Sequence, residues 1–209
     1  MRKQFPDSYD FYPKTYLFPK DLQRLRSEWQ SDQVLIVKPE ASCQGKGIYL
    51  TREIEDIGND RCVVQFYIDK PLLMDKMKFD LRLYVLVLGT DPLRIFVSKE
   101  GLARLSTKNY EEANDENLED ITMHLTNYSI NKHSAKFQPN RAAILDSSGH
   151  KRSLKFTLKY IEKVEKKSNA RLMEEIKDIV VKTMISGQPH LTNMFKQCQL
   201  DDFENSMCF

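Results

Sequence analysis

Apolar positions along the chain follow two rhythms, and the change from one to the other divides it. Near the N-terminus Leu22, Leu25 and Trp29 recur at helical spacing and predict a helix from Pro19 to Trp29. The run Val34-Leu-Ile-Val-Lys38, closed by Pro39, predicts a buried strand ending at Lys38. Gln44-Gly-Lys-Gly47 reads as a flexible turn, and Ile48-Tyr-Leu50 as the return into a strand. Further strands are predicted at Cys62 to Ile68 and Phe79 to Leu88, with Arg94 to Ser98 closing a hairpin across Gly89-Thr-Asp-Pro92. Ile121 to Ile130 fits neither rhythm, and Asn131 to His150 is polar, with Pro139 and a Ser147-Ser-Gly149 turn. Helical spacing returns at Leu154, Leu158 and Ile161, then at Leu172, Ile176, Ile179, Val180 and Met184, until Gly187 and Pro189 stop the pattern. Strands followed by helices, without internal repeats, predict an α+β fold.

The 209 residues suffice for one large domain or two small ones. The longest uninterrupted apolar run, Leu83 to Leu88, is far shorter than a membrane span, and the opening Met1 to Lys20 carries no apolar leader, so a soluble, unsecreted protein is expected. Cys43, Cys62, Cys198 and Cys208 form no CxxC pair, and His124, His133, His150 and His190 show no ligand spacing. Reduced, partly buried thiols follow, without a structural zinc site. The net charge of +2 conceals an uneven distribution. Glu111 to Asp120 holds six acids and no base, whereas Lys132 to Lys167 holds ten bases against three acids. That basic block sets up a field suited to an acidic partner, with a solvated helix face as the plainer alternative.

Three segments carry candidate chemistry. In Lys38 to Gly47, glycines let backbone N–H groups approach phosphate oxygens and lysines supply positive charge, yet the loop matches neither a Walker A sequence nor a dinucleotide fingerprint. An ordinary hairpin turn is the alternative. In Lys78-Phe-Asp80-Leu-Arg82-Leu-Tyr84, period-two geometry sends Lys78, Asp80, Arg82 and Tyr84 to one face. Leu86 and Leu88 continue that face as apolar residues, which predicts a cleft wall, against the alternative of a self-neutralised solvent edge. The third, His124-Leu-Thr126-Asn127-Tyr128-Ser129, groups hydrogen-bonding side chains that otherwise would only cap a turn.

Together with Val64-Gln65-Phe66-Tyr67-Ile68 and Glu100-Gly-Leu-Ala-Arg104, these segments occur in an order that resembles the tubulin tyrosine ligase-like family, most closely its branch that adds glutamates to tubulin tails. The resemblance implies an ATP-grasp fold covering residues 1–209, with a nucleotide-binding sheet region at 34–130 and a basic loop and helical region at 131–209. It implies a ligase that uses ATP to activate a carboxylate as an acyl phosphate, which an amine then attacks. By this resemblance Lys38 contacts the ATP phosphates under the Gln44-Gly45-Lys46-Gly47 loop, and Gln65, Phe66, Tyr67 and Ile68 form the hinge strand that reads adenine. Lys78, Phe79 and Asp80 serve ribose and phosphates, Arg82 faces the transferred phosphoryl group, and Thr126 and Asn127 complete the phosphate side. Arg104, Tyr128 and Ser129 hold the incoming glutamate, with Lys151 or its neighbour Arg152 for the second carboxylate; Arg82 and Arg104 count as catalytic.

The family carries Mg²⁺-binding carboxylates in a late Glu-x-Asn pattern that follows a run resembling Asn205-Ser-Met-Cys-Phe209. Here Asp201, Asp202 and Glu204 precede that position and the sequence stops at Phe209. The expectation is therefore an ATP-grasp domain incomplete at both ends, whose Mg²⁺ ligands lie beyond the end of this chain. The implied partners are free glutamate and tubulin or microtubules through their acidic C-terminal tails, in the cytoplasm and cytoskeleton, with the cilium or basal body included, and neither nucleic acid nor membrane. An inactive microtubule-binding module and a tubulin glycine ligase are the alternatives.

Overall fold

In a computed structural model the chain is described at residues 1–41, 43–140 and 148–198. It comprises β1 (Thr15–Phe18), α1 (Leu22–Glu28), β2 (Leu35–Pro39), β3 (Tyr49–Thr51), β4 (Cys62–Phe66), β5 (Leu73–Met74), β6 (Met77–Thr90), β7 (Leu93–Leu105), α2 (Ile121–His124), α3 (Tyr128–Asn131), β8 (Lys151–Ser153), α4 (Leu154–Glu165) and α5 (Asn169–Cys198). The expected mixture of strands and helices is present, and the strand pairings given by register are antiparallel. The chain divides into two compact units, one of Met1–Phe11, Leu81–Leu102 and Ser153–Phe209, the other of Tyr12–Asp80 and Ala103–Arg152.

The second unit is built on a four-stranded sheet of order β1-β4-β2-β3. Leu35 and Val37 of β2 alternate with Ile36, so the strand buries both faces. One face joins Tyr16, Phe18, Cys62 and Val64 under Leu25 of α1, and Leu25, Leu35 and Val64 are fully buried. The other face packs Val34 and Leu50 against Ala113, with Ile36, Tyr67 and Leu118 at its margin. The acidic segment is thus anchored by an apolar residue in its midst, and Arg52 adds a hydrogen bond to the Ala113 carbonyl at 2.8 Å. In register, Ile36 stands opposite Gln65 and Thr15 stands opposite Gln65 from the other side, which centres Gln65 between β2 and β1.

A second sheet has the order β5-β6-β7-β8. Asp75 and Lys76, both with positive φ, make the tight turn between β5 and β6. The hairpin strands are longer than the apolar runs predict, reaching from Met77 to Thr90 and from Leu93 to Leu105. In the first unit the expected cleft wall is replaced by an open face: Tyr84 is 49% and Leu86 40% exposed, and Arg82 lies over the Tyr84 ring at 5.9 Å. Gly101 is required by close approach, because a Cβ there would lie 2.7 Å from the Arg82 carbonyl.

The same unit holds α4 and α5. Ser153 caps α4 by accepting the Phe156 N–H at 3.1 Å, and Leu154, Thr157 and Ile161 form its buried side. Helix α5 does not stop at Gly187 and Pro189 but runs to Cys198. The missing Pro189 N–H is offset by contacts on both sides of it: Gln188 donates to the Thr90 carbonyl at 2.8 Å, and Lys196 meets Asp91 at 3.4 Å. The ambiguous stretch before residue 131 resolves into two single helical turns, α2 and α3. Cys62 is buried while Cys43 and Cys198 are exposed free thiols; Cys208 lies outside the described residues, as do Asp201, Asp202, Glu204 and Asn205 to Phe209. No described helix is long and apolar enough to cross a membrane.

Candidate functional site

Two lysines of the second unit, Lys38 in one sheet and Lys78 in the other, define the candidate site. Lys38, near the end of β2, donates to Oε1 of Gln65 on β4, whose Nε2 in turn donates to Thr15 Oγ1 at 2.8 Å. Lys78, at the start of β6, donates to the Tyr67 hydroxyl at 2.8 Å and sits 4.2 Å from the Tyr67 ring centre. Among the described residues neither ammonium has a carboxylate within ion-pair distance. Burial pushes the proton affinity of Lys38 down. Burial also pushes Lys78 down, to about 8, with the like charge of Lys38 adding to the effect and Asp80 opposing it. A pair of desolvated cations without a counter-ion suits a polyanion, whose arrival stabilises their charged forms.

Asp80 does not serve as that counter-ion because it is engaged elsewhere. Arg104 on β7 grips both its oxygens, with Nε to Oδ1 at 2.9 Å and Nη2 to Oδ2 shorter still. This raises the proton affinity of Arg104. The planar fork expected to hold an incoming carboxylate is therefore closed on a carboxylate of its own chain. Tyr67, expected among the adenine-reading groups, spends its backbone N–H on the Val34 carbonyl at 2.9 Å. Phe66 packs 5.7 Å from the Tyr16 ring beside the core, Ile68 is 56% exposed, and Phe79 is half-buried.

A second group gathers around α3. Gln44, Gly45 and Gly47 all have positive φ, so the loop turns through left-handed backbone there. Ser129 donates its hydroxyl to the Gln44 carbonyl. A Cβ on Gly45 would stand 2.8 Å from Ile130 Cδ1 and 3.0 Å from Asn127 Cγ. The glycine loop is thus seated directly on the turn that carries Asn127, Tyr128 and Ser129. Thr126 beside it is buried. Lys151 stands 3.5 Å over the Tyr128 ring, with Lys132 at 5.9 Å, so two cations lie against one aromatic ring. Arg152 is buried and paired with Asp75 at 2.6 Å, which ties up its charge. Arg82 belongs to the other unit.

The basic block is divided between the two units. Lys132 to Arg152 fall in one unit and Lys155 to Lys167 in the other, where Lys155, Lys159 and Lys163 lie exposed along α4. Arg141 and Asp146 lie outside the described residues. Two residues that pattern alone did not single out complete the neighbourhood of Lys78. His124 is 1% exposed and contacts the Tyr67 hydroxyl through Nδ1 at 2.9 Å. Tyr110 donates to the Asp69 carbonyl at 2.7 Å and turns its ring edge-on to His124. His124 was visible within its motif, but nothing in the spacing linked it to Lys78. Among the described residues no group of three His, Cys, Asp or Glu is placed to hold a metal ion.

A probable beta-tubulin polyglutamylase of Tetrahymena thermophila is 48% identical over 100% of this chain and 18% of its own length. The tubulin polyglutamylase TTLL6 of Homo sapiens is 42% identical over 100% of the chain and 23% of its own length. The tubulin polyglutamylase TTLL11 of Mus musculus is 41% identical over 91% of the chain and 28% of its own length. The chain therefore spans between 18% and 28% of the length of these relatives. With the match extending over residues 1–206, the chain belongs to the tubulin-tyrosine ligase family.

Proposed function

We propose that the chain is the nucleotide-binding part of an ATP-dependent ligase that joins glutamate to tubulin C-terminal tails. The observation that carries this reading is the pair Lys38 and Lys78, desolvated and without a carboxylate partner among the described residues. The relatives whose printed names are tubulin polyglutamylases support the choice of substrate. In this reading the fold is ATP-grasp, and Lys38 and Lys78 hold the phosphates under the Gln44 to Gly47 loop that Ser129 seats. Gln65, Phe66, Tyr67 and Ile68 border the adenine, Phe79 and Asp80 the ribose side, and Thr126 and Asn127 the phosphate side.

Bound ATP supplies the phosphoryl group that activates a carboxylate; an amine then forms the amide bond as phosphate leaves. Positioned cations suit such a transfer, because its catalysis rests on placement and charge stabilisation. Arg82 and Arg104 are the catalytic candidates. Asp80 occupies the Nε and Nη2 edge of Arg104, so a substrate carboxylate would either displace Asp80 from that edge or take the Nη1 side of the guanidinium. Tyr128, Ser129 and Lys151 complete the proposed glutamate site. Among the described residues no group of three His, Cys, Asp or Glu is placed to hold Mg²⁺. The proposed setting is the cytoplasm and cytoskeleton, cilium and basal body included.

The test is transfer of labelled glutamate to tubulin in the presence of ATP, with unlabelled glycine as competitor. Incorporation that requires ATP and resists glycine supports the reading. Microtubule binding without incorporation points instead to an inactive docking module, and displacement by glycine to a glycine ligase.

A further inference from the structure

The Lys78 ammonium is held by a hydrogen-bonded chain whose direction can be read from its far end. His124 Nε2 lies 2.9 Å from the Asn117 carbonyl, which only accepts, so Nε2 carries a proton. In neutral imidazole Nδ1 is then the acceptor, and the group 2.9 Å from it is the Tyr67 hydroxyl. The neutral form is favoured here because burial, with the charge of Lys78 adding to it, lowers the proton affinity of His124 against the opposing pull of the Asn117 carbonyl and Asp120. Tyr67 therefore donates to His124 and accepts from Lys78, an ammonium that can only donate.

The groups facing Lys78 are Lys38 from β2, Asp80 on its own strand, Tyr67 after β4, Tyr110 after β7 at 5.7 Å, and His124 behind Tyr67. Tyr110 gives its own proton to the Asp69 carbonyl, and its oxygen lies within hydrogen-bonding reach of Tyr67 as a rival acceptor. Without an acceptor at Nδ1 the Tyr67 proton is free to turn towards Tyr110, and the lone pair facing Lys78 is no longer held.

We propose that His124 is a positioning residue: held by the Asn117 carbonyl in one tautomer, it takes the Tyr67 proton and so aims the Tyr67 lone pair at the Lys78 ammonium. This rests on the reading of Lys78 as a phosphate contact only for its consequence in nucleotide binding. It also gives the acidic segment a role, since Asn117 lies within it.

The test compares His124→Asn, which keeps an acceptor where Nδ1 sits, with His124→Gln, which keeps only the donor to Asn117, and with Tyr67→Phe. The readout is competitive acetylation of Lys78 near neutral pH, measured by mass spectrometry against exposed Lys99 in the same 209-residue chain. Loss of one hydrogen bond to a charged group lowers a lysine by roughly one pKa unit, so Tyr67→Phe and His124→Gln should raise Lys78 labelling about fivefold. His124→Asn should stay within about twofold of wild type, and ATP affinity should fall and recover in the same order. Equal labelling in all three variants would overturn the proposal. Should the His124 variants fail to fold, nitrogen NMR of the wild-type ring decides: a bare Nδ1 with protonated Nε2 supports it, and a proton on Nδ1 refutes it. Labelling that responds as expected in a chain that binds no ATP upholds this network and removes the nucleotide reading instead.

Discussion

Replacing Gly45 by alanine tests whether the glycine loop works from its seat on α3. Gly45 has φ of +86°, a conformation that costs a residue with a Cβ about 1–2 kcal/mol. The new Cβ would also meet Ile130 Cδ1 at 2.8 Å and Asn127 Cγ at 3.0 Å. Ile130 can swing its terminal methyl aside, whereas Asn127 has a short side chain with little room to yield. The combined cost is about 1–3 kcal/mol, and it falls on the docked loop alone because the loop lies outside both apolar clusters. The loop should therefore leave its seat while the sheet remains folded. ATP affinity, measured by calorimetric titration, should drop about fivefold or more, since each 1.4 kcal/mol is about a factor of ten. The melting temperature should shift by less than about 2 °C, against the 2–4 °C per kcal/mol expected for global destabilisation of a chain this size. Gly58→Ala is the control, because nothing stands within 4 Å of its added Cβ. Unchanged affinity in Gly45→Ala would refute the seating argument, and so would an equal loss in Gly58→Ala.

Three further outcomes are expected. Lys78 is ordinarily at 10.5 and stands at about 8 when folded, so the folded state binds fewer protons between those values and stability rises with pH across that window. Lys78→Met should thus exceed wild type in urea unfolding by on the order of 3 kcal/mol near pH 7, with the gap closing towards pH 10; a gap independent of pH contradicts the burial argument. Pro189→Ala restores a backbone donor on the exposed side of α5 and should raise the melting temperature by several degrees, as a helix-interior proline costs about 3 kcal/mol; no rise would mean the helix bends around it without loss. Leu35→Ala removes a fully buried side chain from the sheet and should cost about 2–5 kcal/mol in chemical denaturation, whereas a cost under about 1 kcal/mol would place that residue outside the core.

Where the sequence was legible, one physical signal dominated. Val34 to Lys38 is β-branched and closed by proline, and it lies within one residue of the observed strand because burial on both faces agrees with local propensity. The helix α4 was equally clear from the spacing of Leu154, Leu158 and Ile161, of which Leu154 and Ile161 are buried. Pattern failed at α5, where Gly187 and Pro189 signal a stop but contacts to Thr90 and Asp91 carry the helix onward. It failed again at Arg104, since a bidentate pair with Asp80 depends on two strands meeting 24 residues apart. The link from Asn117 through His124 and Tyr67 to Lys78 was invisible for the same reason, as each of its bonds joins segments that only the fold brings together.

The central claim, that Lys38 and Lys78 form a site for the phosphates of ATP, is tested most directly by calorimetric titration of ATP into the wild-type chain and Lys38→Ala. Binding to the wild type is expected, weakened about tenfold or more by the substitution, with the fold intact by circular dichroism. Equal affinity in the two chains, or none in the wild type, would contradict it.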